Sequence, residues 1–274
     1  MMSDRDYRAL EAVNYSTLKH MRKSPKHYKH MLENPDTSTN YAMLRAIHAL
    51  VLEPFTFEDS FTVWTGGRRD KRNAEYAAFI EASGARDILT PDEVMKAGRI
   101  SEAYRGNVYL EQLLAHPGTH CELPMVWKDL ETGLACKGKP DIVCVEELGD
   151  GLIRLTVADL KTFYTSDKRS ILRQGKSYGW PLQLAHYTRG AIEHFGLRGA
   201  WELGMVDVEW ATIVAEEEAP HDCSAVKWGL SSQRAADRQL SVLLQTLKQC
   251  LETGVWPGRG DQSEEDGPGP DWEE

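Results

Sequence analysis

The feature that most restricts what this chain can fold into is an apolar run, Leu152-Ile153-Arg154-Leu155-Thr156-Val157-Ala158, which ends in Asp159-Leu160-Lys161. Rich in aliphatic and β-branched residues and preceded by the turn signal Gly149-Asp150-Gly151, it reads as a strand. Side chains two apart on a strand share a face, so Asp159 and Lys161 project together while Leu160 points the other way, into the core. Asp159-Leu160-Lys161 is the only Asp/Glu-x-Lys tripeptide in the chain. Ahead of it lie two further strand-like segments, Glu122–Lys128 and Ala135–Glu146, separated by Glu131-Thr132-Gly133. The pattern predicts a three-stranded meander that sets Asp141, in Gly138-Lys139-Pro140-Asp141, beside Asp159.

Two carboxylates on neighbouring strands suit a hard cation such as Mg²⁺, with Mn²⁺ as a substitute. Such an ion can polarise a phosphate oxygen and lower the pKa of a water. A lysine on the same face can orient that water or neutralise charge building on phosphorus. Asp159 and Lys161 by themselves are equally compatible with a surface ion pair. Pro-Asp is weaker still, because it occurs four times.

The rest of the chain predicts helices on either side of these strands. Ser16 is a candidate cap for a helix over 17–22, and Ser24-Pro25 for the next. Tyr41 to Leu52 forms an apolar helix bearing His48, and 55–72 reads as strand and loop. Asn73–Ser83 is helical, and Thr90-Pro91-Asp92-Glu93 opens a helix reaching about Leu114. After the meander come helices over Ser166–Lys176 and Pro181–Phe195, a strand over Met205–Ala215, and a long amphipathic helix over 231–253. The expected class is α/β (α+β): a central mixed β-sheet flanked by helices, with a helical N-terminal elaboration. One domain covers 1–260, its helical part about 1–115 and its core about 116–255. An acidic, Gly/Pro-rich, disordered tail covers 261–274.

Composition narrows the class. The chain of 274 residues is 41% hydrophobic and 27% charged, with no apolar run long enough to span a bilayer and a polar N-terminus. A cytoplasmic protein with no membrane partner is the expectation. Five cysteines, none in a Cys-x-x-Cys pair, are expected as reduced thiols. Gly133 to Lys139 imitates a phosphate-binding loop, but Pro140 follows where Ser or Thr belongs, and the context is strand rather than strand-to-helix. The net charge of −10 opposes nucleic-acid binding only superficially: 261–274 holds seven acidic residues and no Lys or Arg, and without it the charge is −3. Basic residues cluster at Lys19, Arg22, Lys23, Lys26 and Lys29, at Arg68, Arg69, Lys71 and Arg72, and at Lys168, Arg169, Arg173 and Lys176. The second cluster is the candidate for phosphate contacts.

Gly138-x-Pro-Asp141 followed by Asp159-x-Lys161 resembles the PD-(D/E)xK nuclease superfamily. His48 on an early helix and Gln183-x-x-x-Tyr187 on the helix after the active-site strand are similar to its RecB-like branch. Gln183 and Tyr187, four apart, share a helix face. Leu44 and Arg45 depart from the branch, which usually has a small residue a turn before the histidine. Asn14-Tyr-Ser-Thr-Leu, Ser24-Pro25-x-His27-Tyr28, His48 to Pro54, Glu131 to Asp141 and Ala158 to Thr162 together resemble the catalytic domain of RecE, exodeoxyribonuclease VIII, over roughly residues 10–255.

The resemblance implies a PD-(D/E)xK fold and an Mg²⁺-dependent exodeoxyribonuclease. Such an enzyme degrades linear duplex DNA 5′ to 3′ and leaves 3′ single-stranded tails for phage- or prophage-type recombination. It implies a metal held by His48, Asp141, Asp159 and the Leu160 backbone carbonyl, with Lys161 assisting the nucleophile. Gln183 and Tyr187 would position the DNA or Lys161. A RecT-like single-strand annealing partner and a ring-shaped homo-oligomer, a tetramer in RecE, follow in the same way. An endonuclease or single-strand nuclease on this fold, and a non-catalytic DNA-binding scaffold, are the alternatives. Glu122 is open between an outer role at the site and an ordinary strand-edge carboxylate.

Overall fold

In the computed structural model the described residues are 4–35 and 41–261. The predicted disordered tail therefore lies, from residue 262 on, outside them. Strands β1 (Phe61–Val63) and β2 (Asp87–Leu89) form a small parallel pair, and β4 (Met125–Lys128) and β5 (Ala135–Gly138) an antiparallel hairpin. The central sheet has the order β3-β6-β7-β8-β9, from β3 (Thr119–Cys121), β6 (Ile142–Gly149), β7 (Leu152–Phe163), β8 (Val206–Glu216) and β9 (Cys223–Lys227). It is mixed: β7 and β8 run parallel and the other neighbours antiparallel.

The helices preceding the central sheet are α1 (Asp4–Ala9), α2 (Tyr15–Leu18), α3 (Pro25–Glu33), α4 (Ala42–Leu52), α5 (Phe57–Ser60), α6 (Ala74–Ser83), α7 (Pro91–Arg105) and α8 (Val108–Ala115). Four more follow β7: α9 (Lys168–Tyr178), α10 (Trp180–His194), α11 (Arg198–Glu202) and α12 (Leu230–Thr253). Their termini are written locally. Ser24 accepts from the His27 N–H ahead of Pro25, and Thr90 with Glu93 closes a capping box on α7.

Alternation along β7 and β8 divides the core in two. Leu155 and Val157, with Trp210 and Val214, pack among α10 and α12 residues such as Leu184 and Leu244. Ala158, Leu160, Ala211 and Ile213 pack on the other face against Ala46 and Ile47 of α4 and Ile100 of α7. Both faces are buried, as expected of a strand pair running parallel beneath helices.

Three expectations are corrected. The meander does not form one sheet, because the segment predicted as a single strand over Ala135–Glu146 is two, β5 and β6, broken at 139–141. Pro140 has no N–H for a ladder. β4 therefore pairs only with β5, and the unpredicted β3 occupies the place beside β6. The helix expected to reach Leu114 stops at Arg105; Gly106 ends it, and Asn107 starts α8 by accepting from Leu110. Asn14, not Ser16, caps the first short helix, accepting from the Thr17 N–H at 2.8 Å, and a 3₁₀ turn over Lys19–Arg22 continues it. The phosphate-loop imitation lies in the β4–β5 hairpin, with Gly133 in a left-handed turn and Lys137 donating to the carbonyls of Tyr7, Arg8 and Leu10. All five cysteines are free thiols.

Candidate active site

The site lies where two strands part. The β6–β7 ladder begins at Ile142 opposite Ala158, whereas β7 stays paired with β8 as far as Phe163 opposite Glu216. Beyond Ala158, β7 has lost its neighbour on one side. The Asp141 carboxylate takes up the slack, accepting from the Leu160 backbone N–H at 2.6 Å. A side chain thus stands in for the missing ladder and is fixed by it, since a buried N–H requires a partner. This is where Leu160, expected to lend a backbone oxygen to a metal, is seen to act: its N–H holds Asp141.

Two more groups converge on Asp141. His48, from α4, places Nδ1 3.4 Å from Asp141 Oδ1 and 3.7 Å from Glu122 Oε1. One ligand atom from each of His48, Glu122 and Asp141 lies within 4.8 Å of the others, a group able to hold a metal ion. One imidazole and two carboxylates suit a divalent cation of the Mg²⁺ or Mn²⁺ type, so the donor chemistry fits the expected cofactor class. Glu122 is the residue whose role the sequence left open. It follows β3, has a left-handed backbone (φ 48°) that non-glycine residues rarely adopt, and donates its N–H to the Asp141 carbonyl at 3.0 Å. The adjacent Lys139 ion-pairs with its other oxygen at 3.0 Å. Its positive φ depends on tertiary contacts, which no sequence signal announces.

Asp159 and Lys161 sit beside this group. Asp159 is buried and its carboxylate meets the Lys161 ammonium directly, so it stands outside the three-ligand group. Lys161 Nζ also donates to Gln183 Oε1 at 3.1 Å, and Gln183 Nε2 donates to Tyr187 Oη at 3.0 Å. The two α10 residues, one turn apart, therefore act in series on Lys161. Pro181 occupies the first turn of α10, as expected. Gly138 makes room for the far end of this chain, since a Cβ there would lie 2.8 Å from Tyr187 Cδ1.

Proton affinities follow from burial and charge. Burial disfavours the imidazolium of His48, but Asp141 and Glu122 outweigh it and hold its pKa up at about 10. Burial also resists ionisation of Asp141, yet His48, Lys161 and the Leu160 N–H keep its carboxyl below the usual range. Asp159 goes the other way: burial, opposed by Lys161 and aided by Asp141, pushes it up to about 6. Lys161 stays protonated because Asp159 and Asp141 overcome its desolvation. Lys19, in the first basic cluster, lies close enough to Lys161 to matter. Although Lys19 is exposed, partial desolvation and then the charges of Lys161 and Lys23 hold its pKa below the ordinary lysine value.

The basic cluster proposed for DNA contacts is partly spoken for. Arg69 pairs with Glu93 at 2.5 Å and donates to the Ile88 carbonyl, and Arg72 pairs with Asp70 at 2.8 Å. Arg68 and Lys71 are exposed. The structure does not bring these four into the group around Asp141.

Comparison with known proteins agrees with this architecture. No curated protein sequence matches the chain. Among solved structures, the chain is similar to a protein from Eubacterium rectale titled "Putative exonuclease", with a TM-score of 0.63 at 11% identity, covering 96% of this chain and 91% of that one. At that identity the likeness is one of fold. Residues 14–265 match a family described as a PDDEXK-like domain of unknown function, DUF3799. That span takes in the strand fork, the His48–Glu122–Asp141 group and the Lys161–Gln183–Tyr187 chain, and the protein belongs to this PDDEXK-like family.

Proposed function

We propose that this protein is a divalent-metal-dependent nuclease that hydrolyses DNA phosphodiesters. The observation that carries the reading is the juxtaposition of a His48–Glu122–Asp141 ligand group with the pair of buried Asp159 and half-buried Lys161 at a strand fork. His48, Glu122 and Asp141 would hold the cation, with Asp159 and the Leu160 carbonyl available to it as the family resemblance implies. When bound, a divalent cation withdraws charge from a phosphate oxygen and eases loss of a proton from water.

The chain's own residues do the rest. Lys161, protonated and gripped by Asp159 and Gln183, presents an ammonium whose position is fixed before substrate arrives. A fixed donor of this kind stabilises negative charge as it develops on the phosphoryl oxygens, without reorganisation at the moment of reaction. Tyr187 limits the freedom of Gln183 and so of Lys161. Lys19, which feels the charge of Lys161, adds positive potential on this side of the site and favours a phosphate there.

Within this reading the substrate is linear duplex DNA, degraded from its 5′ end with Mg²⁺ to leave 3′ tails for phage-type recombination. The RecE resemblance supports that choice, together with an annealing-protein partner and a homo-oligomeric ring. Digestion of 5′- and 3′-labelled linear duplex and of covalently closed circles, with Mg²⁺ or with EDTA, tests it. Release of 5′ label, an intact circle and no activity in EDTA are expected. Cleavage of the circle would replace the exonuclease by an endonuclease. No hydrolysis under any divalent cation would leave a DNA-binding scaffold.

A further inference from the structure

The face of β7 that carries Asp159 and Lys161 continues to Phe163, because all three are two residues apart. Phe163 is the hub of an aromatic cluster. Its ring lies 4.4 Å from Tyr164, 5.8 Å edge-on from Tyr178 and 5.5 Å edge-on from Trp180, and Tyr178 stacks on Trp180 at 6.0 Å. Phe163 and Trp180 are largely covered, but Tyr164 is 62% exposed and Tyr178 54%. Two large rings thus stand in solvent on a rigid base, next to the strand that carries Lys161.

The base is held from several sides. Tyr164 Oη accepts from Gln174 of α9. Arg22 donates to the Ser177 and Lys176 carbonyls at 3.0 and 3.3 Å, and Tyr15 Oη donates to the Gly179 carbonyl at 2.5 Å. Gly179 itself takes a left-handed conformation (φ 80°), and a Cβ there would run into Arg22 and Tyr15. Tyr178 is therefore fixed at the end of α9, not on a free loop. The same helix carries Lys168, Arg169 and Arg173, all exposed and none in an ion pair among the described residues; it holds no Asp or Glu, and Asp167 caps its start.

Exposed rings beside a helix that carries exposed cations suit unpaired nucleic acid: bases stack on the rings and phosphates follow the charge. A protein-binding patch would deplete lysine at its core, whereas α9 exposes Lys168. We propose that Tyr164 and Tyr178 form a stacking platform for unpaired nucleotides of a DNA strand lying along α9, continuous with the phosphate site at Lys161. The inference rests on the nuclease reading only in taking DNA as the ligand.

The test is binding by the full-length protein in EDTA, where no hydrolysis competes. Fluorescently labelled oligothymidylate and a blunt duplex serve as probes, with 2-aminopurine in a second single strand to report stacking. Tyr164→Ala and Tyr178→Ala should each weaken single-strand binding about 10-fold and abolish 2-aminopurine quenching. Tyr164→Phe and Tyr178→Phe should retain both, since the ring and not the hydroxyl does the binding. Blunt-duplex affinity should change less than single-strand affinity.

Alanine variants that bind the single strand like the wild type would overturn the platform. So would Phe variants as weak as the Ala variants, or a loss of self-association in place of a loss of DNA affinity, which would assign the rings to a second copy of the chain. If the unaltered protein hydrolyses DNA while these variants bind normally, only the platform fails. If it neither binds nor cuts DNA, the nuclease reading fails with it.

Discussion

At the residue scale, the site is governed by which charges are buried together. Asp141 is held ionised by His48, Lys161 and a backbone N–H, while burial drives the neighbouring Asp159 toward its neutral form even with Lys161 against it. Lys161 is the group whose loss is most informative. Lys161→Ala should lower Mg²⁺-supported DNA hydrolysis about 10²–10³-fold, the scale of losing one fixed electrostatic donor, and single-turnover rates on labelled duplex measure it. A rate within a few-fold of wild type would remove Lys161 from the chemistry. Glu122 makes a separate prediction. Glu122→Gln removes one proposed anionic ligand and should weaken Mn²⁺ or Mg²⁺ binding by calorimetry at least about 10-fold, a loss that even outer-shell substitutions can produce. Unchanged affinity would return Glu122 to the role of a structural carboxylate paired with Lys139.

At the scale of elements, the decisive event is that β6 starts later than β7 requires. Pro140 interrupts the strand predicted over Ala135–Glu146, and the interruption frees the Leu160 N–H for Asp141. The α10 helix then closes the site by lying against β5, which is possible because Gly138 has no side chain. Gly138→Ala would put a methyl group 2.8 Å from the Tyr187 ring. Overpacking of this kind costs about 1–3 kcal/mol. A lowered Tm together with reduced hydrolysis is expected, because the displaced ring is hydrogen-bonded to Gln183 and through it to Lys161. An unshifted Tm would mean that α10 moves aside freely.

At the scale of the whole molecule, two linkages connect the site and the core to stability. A cation that binds only the native His48–Glu122–Asp141 group stabilises the fold by mass action, about 2.7 kcal/mol at a hundred times its Kd. Mg²⁺ or Mn²⁺ should therefore raise Tm, EDTA should reverse the rise, and Glu122→Gln should blunt it. The second linkage is buried elsewhere. His186 of α10 donates from Nε2 to the Lys137 carbonyl at 3.0 Å, and burial depresses its pKa to about 4. The folded state keeps this imidazole neutral, whereas the unfolded chain protonates it near its ordinary 6.5. Its contribution is complete above about pH 6.5 and is lost as pH falls from there toward 4, by at most about 3 kcal/mol. Urea melts across that window should show the slope, and His186→Gln should flatten it. An identical slope in the variant would place the acid sensitivity elsewhere. Among the described residues no helix is long and apolar enough to cross a membrane.

Much of this protein was legible in its sequence because short-range chemistry wrote it. The β7 run with Asp159-Leu160-Lys161, the Ser24 and Thr90 caps, and the one-turn spacing of Gln183 and Tyr187 are local patterns, and a helix or strand converts each into a known facing. The mixed sheet between helices followed from their order. What the sequence could not give was the geometry set by pairing at a distance. That β4 leaves the central sheet, that β3 enters it, and that Glu122 turns through a left-handed conformation to meet His48 all depend on where β6 begins relative to β7. The sequence by itself picked out the residues proposed for the chemistry; the tertiary structure alone brought Glu122 beside His48 and Asp141 and set Asp159 against Lys161. The physical reason is that a buried backbone N–H at Leu160 and the half-buried ammonium of Lys161 each claim a carboxylate, and only the folded strand fork settles which one each receives.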